Sequence, residues 1–226
     1  ENNDFATEIP GSKNSVLLEF VSSNPTGPLH VGHGRHAAFG DSLAKLLRKA
    51  GHKVETEYYI NDAGRQIDIL LISILIRALN KLEIKSALPR ACYQGEYLNP
   101  IADQIIKQYK NLLTSLPVNN FLKQDVSEDV EIDLAILSIK NEIGDEMFES
   151  LSGEICNITI NMIKEDLNTF GVNFDHWYSE RSMINNGLIN NSINDLKKLN
   201  LLYKQEGALW LKTTNFNDDK DRVVLR

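Results

Sequence analysis

The amino-acid sequence predicts an α/β fold organised on a parallel sheet, and three consecutive segments carry that reading. Val16-Leu17-Leu18-Glu19-Phe20 is a strand-like apolar run, Ser22 to Leu29 is a turn rich in serine, proline and glycine, and a helical pattern follows at once. Strand, glycine-proline turn and helix, in that order, is how an α/β protein presents a helix N-terminus to a phosphate. The helix carries Phe39, Leu43, Leu46, Leu47 and Ala50 at three-to-four spacing. Gly51 stands where a C-terminal cap belongs, and Arg48, Lys49 and Lys53 crowd the negative end of the helix dipole. Val54 to Tyr59 alternates as a second strand, so residues 15 to 59 read as a β-α-β unit whose crossover should be right-handed.

Further along, Asn61-Asp62-Ala63-Gly64 is a polar turn, and Gln66 to Leu79 is apolar almost all the way round, as in a helix buried between layers. Pro89 to Pro100 reads as loop, and Asn99-Pro100 reads as the start of a helix with Asn as N-cap and Pro at the first position. Between Val130 and Phe170, the positions Ile132, Ile136, Ile139, Ile143, Phe148, Leu151 and Ile155 keep helical spacing, with Gly144 and Gly153 as candidate breaks. One long or two shorter amphipathic helices are expected there. A short strand is expected over Asn173 to Tyr178 and a helix around Leu188 to Leu199. Leu201 to Lys204 and Ala208 to Lys212 flank Glu206-Gly207 as a hairpin, and Arg222 to Arg226 is β-prone. Asn215 to Asp221 is acidic but lacks the glycine and terminal glutamate of a calcium loop, and reads as a solvated turn.

With 226 residues, 42% of them hydrophobic, the chain can build one large core or a domain with an insertion. The balance of 24 Lys plus Arg against 31 Asp plus Glu, net −7, argues against coating nucleic acid non-specifically. Cys92 and Cys156 stand far apart without ligand spacing, so neither a zinc site nor a disulfide framework is indicated and no metal ligand is assigned. No signal peptide opens the chain, and its longest apolar stretch, Ile69 to Ile76, falls far short of the ~20 residues that cross a bilayer. A cytoplasmic protein with no membrane association is expected. The absence of an initial Met and the β-prone last residues suggest a piece of a longer chain.

The chemistry concentrates at His30-Val31-Gly32-His33. A helix N-terminus leaves N–H groups unpaired and carries partial positive charge, so two imidazoles in the first turn add two donors toward a phosphate. Gly32, without a side chain, lets a nucleotide lie close to the backbone. Such an arrangement suits the negative charge that develops when an α-phosphate is attacked and pyrophosphate leaves. The plainer alternative is a pair of capping histidines. Glu19, Ser22, Ser23 and Asn24 lie at the carboxyl end of the first strand, where open α/β sheets bind ligands, and Glu19 could hold a cation. Read plainly, Glu19 is a solvated strand residue and Asn24 a turn residue.

Glu19-Phe20-Val21-Ser22-Ser23-Asn24-Pro25-Thr26-Gly27-Pro28-Leu29-His30-Val31-Gly32-His33-Gly34-Arg35 resembles arginyl-tRNA synthetases, with His30 to His33 matching the HIGH signature of class I synthetases. Tyr59 to Gln66 and Phe170 to Glu180 are similar to further blocks of that family, and so is Gly207-Ala208-Leu209-Trp210-Leu211-Lys212 together with Asp218 to Val223. The resemblance implies a Rossmann-like parallel sheet with the HIGH motif at a strand-to-helix turn, plus a largely helical insertion. It divides one partial catalytic domain, residues 1–226, into a first nucleotide-binding half over about 14–80, a mostly helical segment over about 81–170 and the start of the second half, with a hairpin insertion, over about 171–226.

The implied reaction is the ATP-dependent attachment of L-arginine to tRNA(Arg) through an arginyl-adenylate, with Mg²⁺ neutralising the departing pyrophosphate. By motif position, Pro28, His30, Gly32 and His33 would face ATP, with His30, Gly32 and His33 as the catalytic set. Glu19, Ser22, Ser23, Asn24 and His33 would line the arginine site, where a carboxylate suits guanidinium. Asp62 and Gln66 are near-site candidates, although a turn cap explains Asp62 equally well.

No KMSKS-like loop precedes Arg226, and the family's Thr-Tyr, Asp and Ala-Tyr segment, its N-terminal tRNA-contacting domain and its anticodon-binding domain do not appear either. The chain alone is therefore expected to be weak or inactive, and a monomer. Two alternatives stay open: another HIGH-type adenylyl-transferring ligase, and a non-catalytic nucleotide-binding module.

Overall fold

The computed structural model describes residues 15–116 and 126–225, so residue 14, the first of the expected nucleotide-binding half, and Arg226 lie outside the described residues. The chain divides into two compact units, one ending at Glu180 and one beginning at Arg181.

In the first unit, β1 (Ser15–Glu19), β2 (Lys53–Ile60) and β3 (His176–Ser179) form a parallel sheet in that spatial order. Ser15 faces Lys53 and Glu19 faces Glu57, while His176 faces Glu57 and Ser179 faces Ile60. Alternation buries Val54, Thr56, Tyr58 and Ile60 on one face of β2, as a period of two requires. Between β1 and β2 runs α1 (Val31–Lys49), ending at Ala50 with Gly51 at φ 89°, the left-handed position only glycine takes without strain. Its inward face is small, with Ala37, Gly40 and Ala44 buried, so that Phe20 lies directly on the helix backbone.

The helices α2 (Arg65–Lys81), α3 (Leu98–Ser115), α4 (Glu128–Ile143) and α5 (Asp145–Thr169) make the main core of this unit. The expected all-round burial of α2 is what the structure shows, from Ile67 through Leu79. Asp68 and Arg77 are only partly buried; Ser73 is the one polar residue among the buried positions of this helix, and it donates to the Ile69 carbonyl (2.6 Å) and accepts from Tyr93 N (2.9 Å). Between α4 and α5 the helix pattern breaks at Gly144 (φ 80°), while Gly153 sits inside α5 without interrupting it. Thus two helices, not one, fill the stretch.

The start of α3 differs from expectation. It begins at Leu98 with Tyr97 as N-cap, placing Asn99 and Pro100 inside the first turn. Leu98 is fully buried and draws the helix start upstream, while the Asn99 side chain bonds Arg77 Nη1 (3.1 Å) and Glu96 instead of capping. The expected strand at Asn173 to Tyr178 is confined to β3, because Asp175 is taken up by Thr56 and Arg48 across the sheet end. A short helix, α6 (Glu180–Asn185), follows β3 and has no counterpart in the expected elements.

The second unit holds α7 (Leu188–Lys198) and an antiparallel sheet, β4 (Leu202–Gln205), β5 (Ala208–Leu211) and β6 (Arg222–Leu225). The expected hairpin turn is present: Glu206 (φ 50°) and Gly207 (φ 75°) both take positive φ, as two-residue hairpin turns that match strand twist require. The acidic stretch before β6 is a tied turn, in which Arg222 pairs with Asp218 (2.8 Å) and Asp219 (2.7 Å), and Thr214 N and Oγ1 donate to Asp221. No described helix is long and apolar enough to cross a membrane.

Candidate functional site

At the carboxyl end of β1 the chain turns sharply into α1. Ser22 N donates to the Phe20 carbonyl (3.0 Å) across Val21, which takes φ 68°, and Ser22 follows at φ 41°. Two successive non-glycine residues in this region, one of them β-branched, mark backbone strain held by its surroundings. Tyr58 and Tyr59 at the end of β2 do the holding. The Tyr58 hydroxyl accepts from Ser23 N (3.0 Å), donates to Ser23 O (3.1 Å) and lies 2.7 Å from Ser23 Oγ, while Tyr59 N donates to Ser22 Oγ (3.1 Å). The loop's next residues are fixed by the helices: Thr159 Oγ1 donates to the Pro25 carbonyl (2.7 Å) and Tyr97 Oη to the Thr26 carbonyl (2.6 Å).

The helix opens with a reciprocal cap made by the two histidines. His30 Nδ1 accepts from Gly32 N (3.1 Å), His33 Nδ1 accepts from His30 N (3.2 Å), and the rings stack with centroids 3.7 Å apart. Of the two alternatives weighed from sequence, capping is what the structure shows, and it leaves the Nε2 of each ring outside the cap. A neutral imidazole whose Nδ1 accepts must carry its proton on Nε2, so the cap fixes the tautomer in which each ring is a donor. Burial, followed by the neighbouring His30 and His36, holds the His33 pKa below its ordinary value, in keeping with a neutral ring. Gly32 has a further, local role, because a Cβ there would lie 2.8 Å from His30 Cε1 and push the ring out of the cap.

A cleft of about 600 Å³ opens beside this turn, lined by Ser22, Ser23, Asn24, Pro28, His30 and His33 among the expected site residues. His36, Tyr93 and Tyr97 also line it, and sequence reasoning did not single them out. His36 carried a signal, being one more helical step along the His30 and His33 stripe; the two tyrosines come from a distant loop and helix cap and carried none.

Of the other expected residues, Gly32 lies beneath His30, and Gln66 Oε1 accepts from Asn24 Nδ2 (2.6 Å), whose Oδ1 in turn accepts from Asn61 (3.2 Å). Asp62 accepts from Ser179 Oγ (2.6 Å) at the end of β3. Glu19 is exposed at the last position of β1 and is not among the lining residues. A larger concavity of about 850 Å³ in the second unit, between α7 and the β4–β5 hairpin, holds none of the expected site residues.

The arrangement can receive an anion. The helix start supplies positive potential, the two imidazoles supply donors, and the end of a parallel strand supplies hydroxyl and amide groups beside them.

Comparison with known proteins gives concordant matches. A family described as tRNA synthetases class I (R), catalytic domain, matches residues 2–226. An arginine–tRNA ligase of Dichelobacter nodosus is 44% identical over 230 residues, covering 97% of this chain and 38% of its own length. One from Geobacter sp. (strain M21) is 43% identical over 216 residues, covering 96% and 34% respectively. A crystal structure of an arginyl-tRNA synthetase from Campylobacter jejuni superposes with a TM-score of 0.74 at 33% identity, over 99% of this chain and 43% of that one. The arginyl-tRNA synthetase of Thermus thermophilus, at 19% identity and a TM-score of 0.60, shares the fold. The chain therefore spans little more than a third of the length of the curated relatives it matches.

Proposed function

The chain belongs to the family of class I tRNA synthetase catalytic domains specific for arginine, and we propose that the protein carrying it attaches L-arginine to tRNA(Arg) through an arginyl-adenylate. The observation that carries this reading is the histidine cap at the N-terminus of α1, inside a family match that runs the length of the chain. Arginine's carboxylate attacks the ATP α-phosphorus and pyrophosphate leaves; a terminal ribose hydroxyl of the tRNA then attacks the carbonyl carbon of the adenylate, forms the ester and releases AMP. Mg²⁺ belongs to the nucleotide substrate, bound through its phosphates.

In this reading His30 and His33 donate from Nε2 to the phosphate oxygens as charge develops, and the helix dipole adds to them. Pro28 and Gly32 keep the backbone close beneath the nucleotide. Ser22, Ser23 and Asn24 face the amino acid with His33, Gln66 orients Asn24 through their hydrogen bond, and Asp62 stands near the site. Glu19, exposed at the strand end, meets the guanidinium or amino group from outside the cleft rather than from its wall. The three spans expected from sequence, about 14–80, 81–170 and 171–226, remain our reading of this partial catalytic domain, in a cytoplasmic, monomeric protein.

Thermal shift tests the reading. Arginine should raise the melting temperature beyond the rise that ATP and Mg²⁺ give by themselves, whereas cysteine and pantoate should add nothing to it. A flat response to arginine would sink it and favour a non-catalytic module. The 226-residue chain by itself is proposed to be weak in arginine-dependent pyrophosphate exchange, and robust turnover by it would overturn that point.

A further inference from the structure

The side chain that contacts the site loop most heavily lies outside the cleft. Tyr58 is 1% exposed, its ring stacked on Trp177 (4.4 Å between centroids) and edge-on to Phe174 (5.4 Å). A phenylalanine would meet every one of those packing contacts. What the tyrosine adds is a hydroxyl, and burying a hydroxyl is unfavourable unless it is fully bonded. Among the described residues all of the hydroxyl's hydrogen bonds go to Ser23, whose N–H, side-chain oxygen and carbonyl each meet it. Immediately before Ser23 stand Val21 and Ser22 with φ of 68° and 41°, conformations that persist only where neighbours over-determine them. Tyr97 and Thr159 anchor the carbonyls of Thr26 and Pro25, further along the loop.

We propose that Tyr58 is a positioning residue of the amino-acid site, acting through Ser23 to lock the strained Val21-Ser22 turn in the form that presents Ser22, Ser23 and Asn24 to the substrate. The proposal rests on the function argued above. It assigns the turn to prior organisation by the sheet: the end of β2, not the ligand, sets its shape. Loss of the hydroxyl therefore weakens arginine binding while leaving the ATP-facing histidine cap in place.

The test is Tyr58→Phe in the full-length protein, read by arginine-dependent pyrophosphate exchange and by amide hydrogen exchange. The arginine KM should rise about tenfold while kcat and the ATP KM change by less than about threefold, and the Ser23 amide should exchange about tenfold faster with β2 still protected. A purely structural tyrosine would lower the melting temperature without splitting KM from kcat.

Should Tyr58→Phe not fold, hydrogen exchange in the ligand-free wild type decides: the Ser23 amide must be protected before arginine is added, and a Ser23 amide that exchanges freely until arginine binds overturns the proposal. An active wild type with a loosened Ser23 amide but an unaltered arginine KM also overturns it. A loosened amide in a protein whose wild type shows no arginine-dependent activity leaves the locking of the turn standing and removes the assigned function.

Discussion

Replacing Gly40 by alanine should destabilise the first unit although alanine is the better helix former. A Cβ at position 40 would lie 2.2 Å from Phe20 Cγ and 2.3 Å from its Cδ2, whereas carbon atoms pack best at roughly 3.5–4.0 Å. The ring must therefore retreat by roughly 1.3–1.8 Å. Rotation of the ring does not relieve the clash, because Cγ lies on the rotation axis. Retreat is blocked by Phe174, 4.5 Å away between centroids, which itself packs on Tyr58 and Trp177. Overpacking of this kind costs about 1–3 kcal/mol, and contact at the ring base argues for the upper part of that range. The gain in helix propensity is about 1 kcal/mol, leaving a net loss of about 1–2 kcal/mol. For a unit of this size that corresponds to a fall in melting temperature of about 2–8 °C by calorimetry. Phe20→Leu should partly rescue Gly40→Ala, because the clash is with the ring. A melting temperature equal to or above that of the wild type would refute the close approach of α1 to Phe20, and with it the account of why this helix face is lined with small residues.

Three further outcomes follow from the same geometry. His33 has its pKa held below the usual 6.5, by burial first and then by His30 and His36, so its neutral form is favoured in the fold; the stability it contributes is complete above pH 6.5 and is lost as pH falls through the lowered value. An NMR titration of its ring should show a midpoint below 6.5, and one at or above 6.5 would contradict the cap. Asp175 is held below the usual carboxylate range by the Thr56 backbone N–H first, then the Thr56 hydroxyl, with Arg48 adding; its contribution is present above the unfolded value near 4 and is lost as pH falls through the lower folded one. Asp175→Asn should flatten the acid limb of the stability profile, and an unchanged limb would count against the bonding of Asp175 to Thr56 and Arg48. Glu131, 1% exposed, relies on Arg90 Nε (3.1 Å), so Arg90→Leu should cost about 2 kcal/mol by denaturant titration, less than for a fully buried pair because Arg90 is half exposed; the double variant with Glu131→Leu should recover most of it.

The β1-α1-β2 segment was legible because its signals are local: alternation in β2, glycine after the helix, and a proline-glycine turn before it. The histidine pair was legible as a spacing, and the cap it suggested is present; an accepting Nδ1 leaves Nε2 as the nitrogen that carries the proton. What stayed hidden depends on distance along the chain. Tyr97 meets Thr26 of the turn across 71 residues of chain and Tyr93 stands close by in sequence, and Tyr58 stands out only when its hydroxyl is seen against Ser23. The start of α3 was misplaced because a local cap signal at Asn99 lost to burial of Leu98 and to the pull of Arg77 on the asparagine side chain. Glycine was ambiguous for the same reason. Gly144 breaks a helix because its φ is positive, whereas Gly153 has ordinary helical surroundings, and composition alone does not separate the two.

The most direct measurement is aminoacylation by the full-length protein with tRNA(Arg), ATP, Mg²⁺ and each of several amino acids, in wild type and in His30→Ala and His33→Ala. The account predicts charging with arginine alone and a loss of about a hundredfold or more in kcat in each variant, as for removal of a transition-state donor. Charging of another amino acid at a comparable rate, or histidine variants that charge arginine as fast as the wild type, would contradict it.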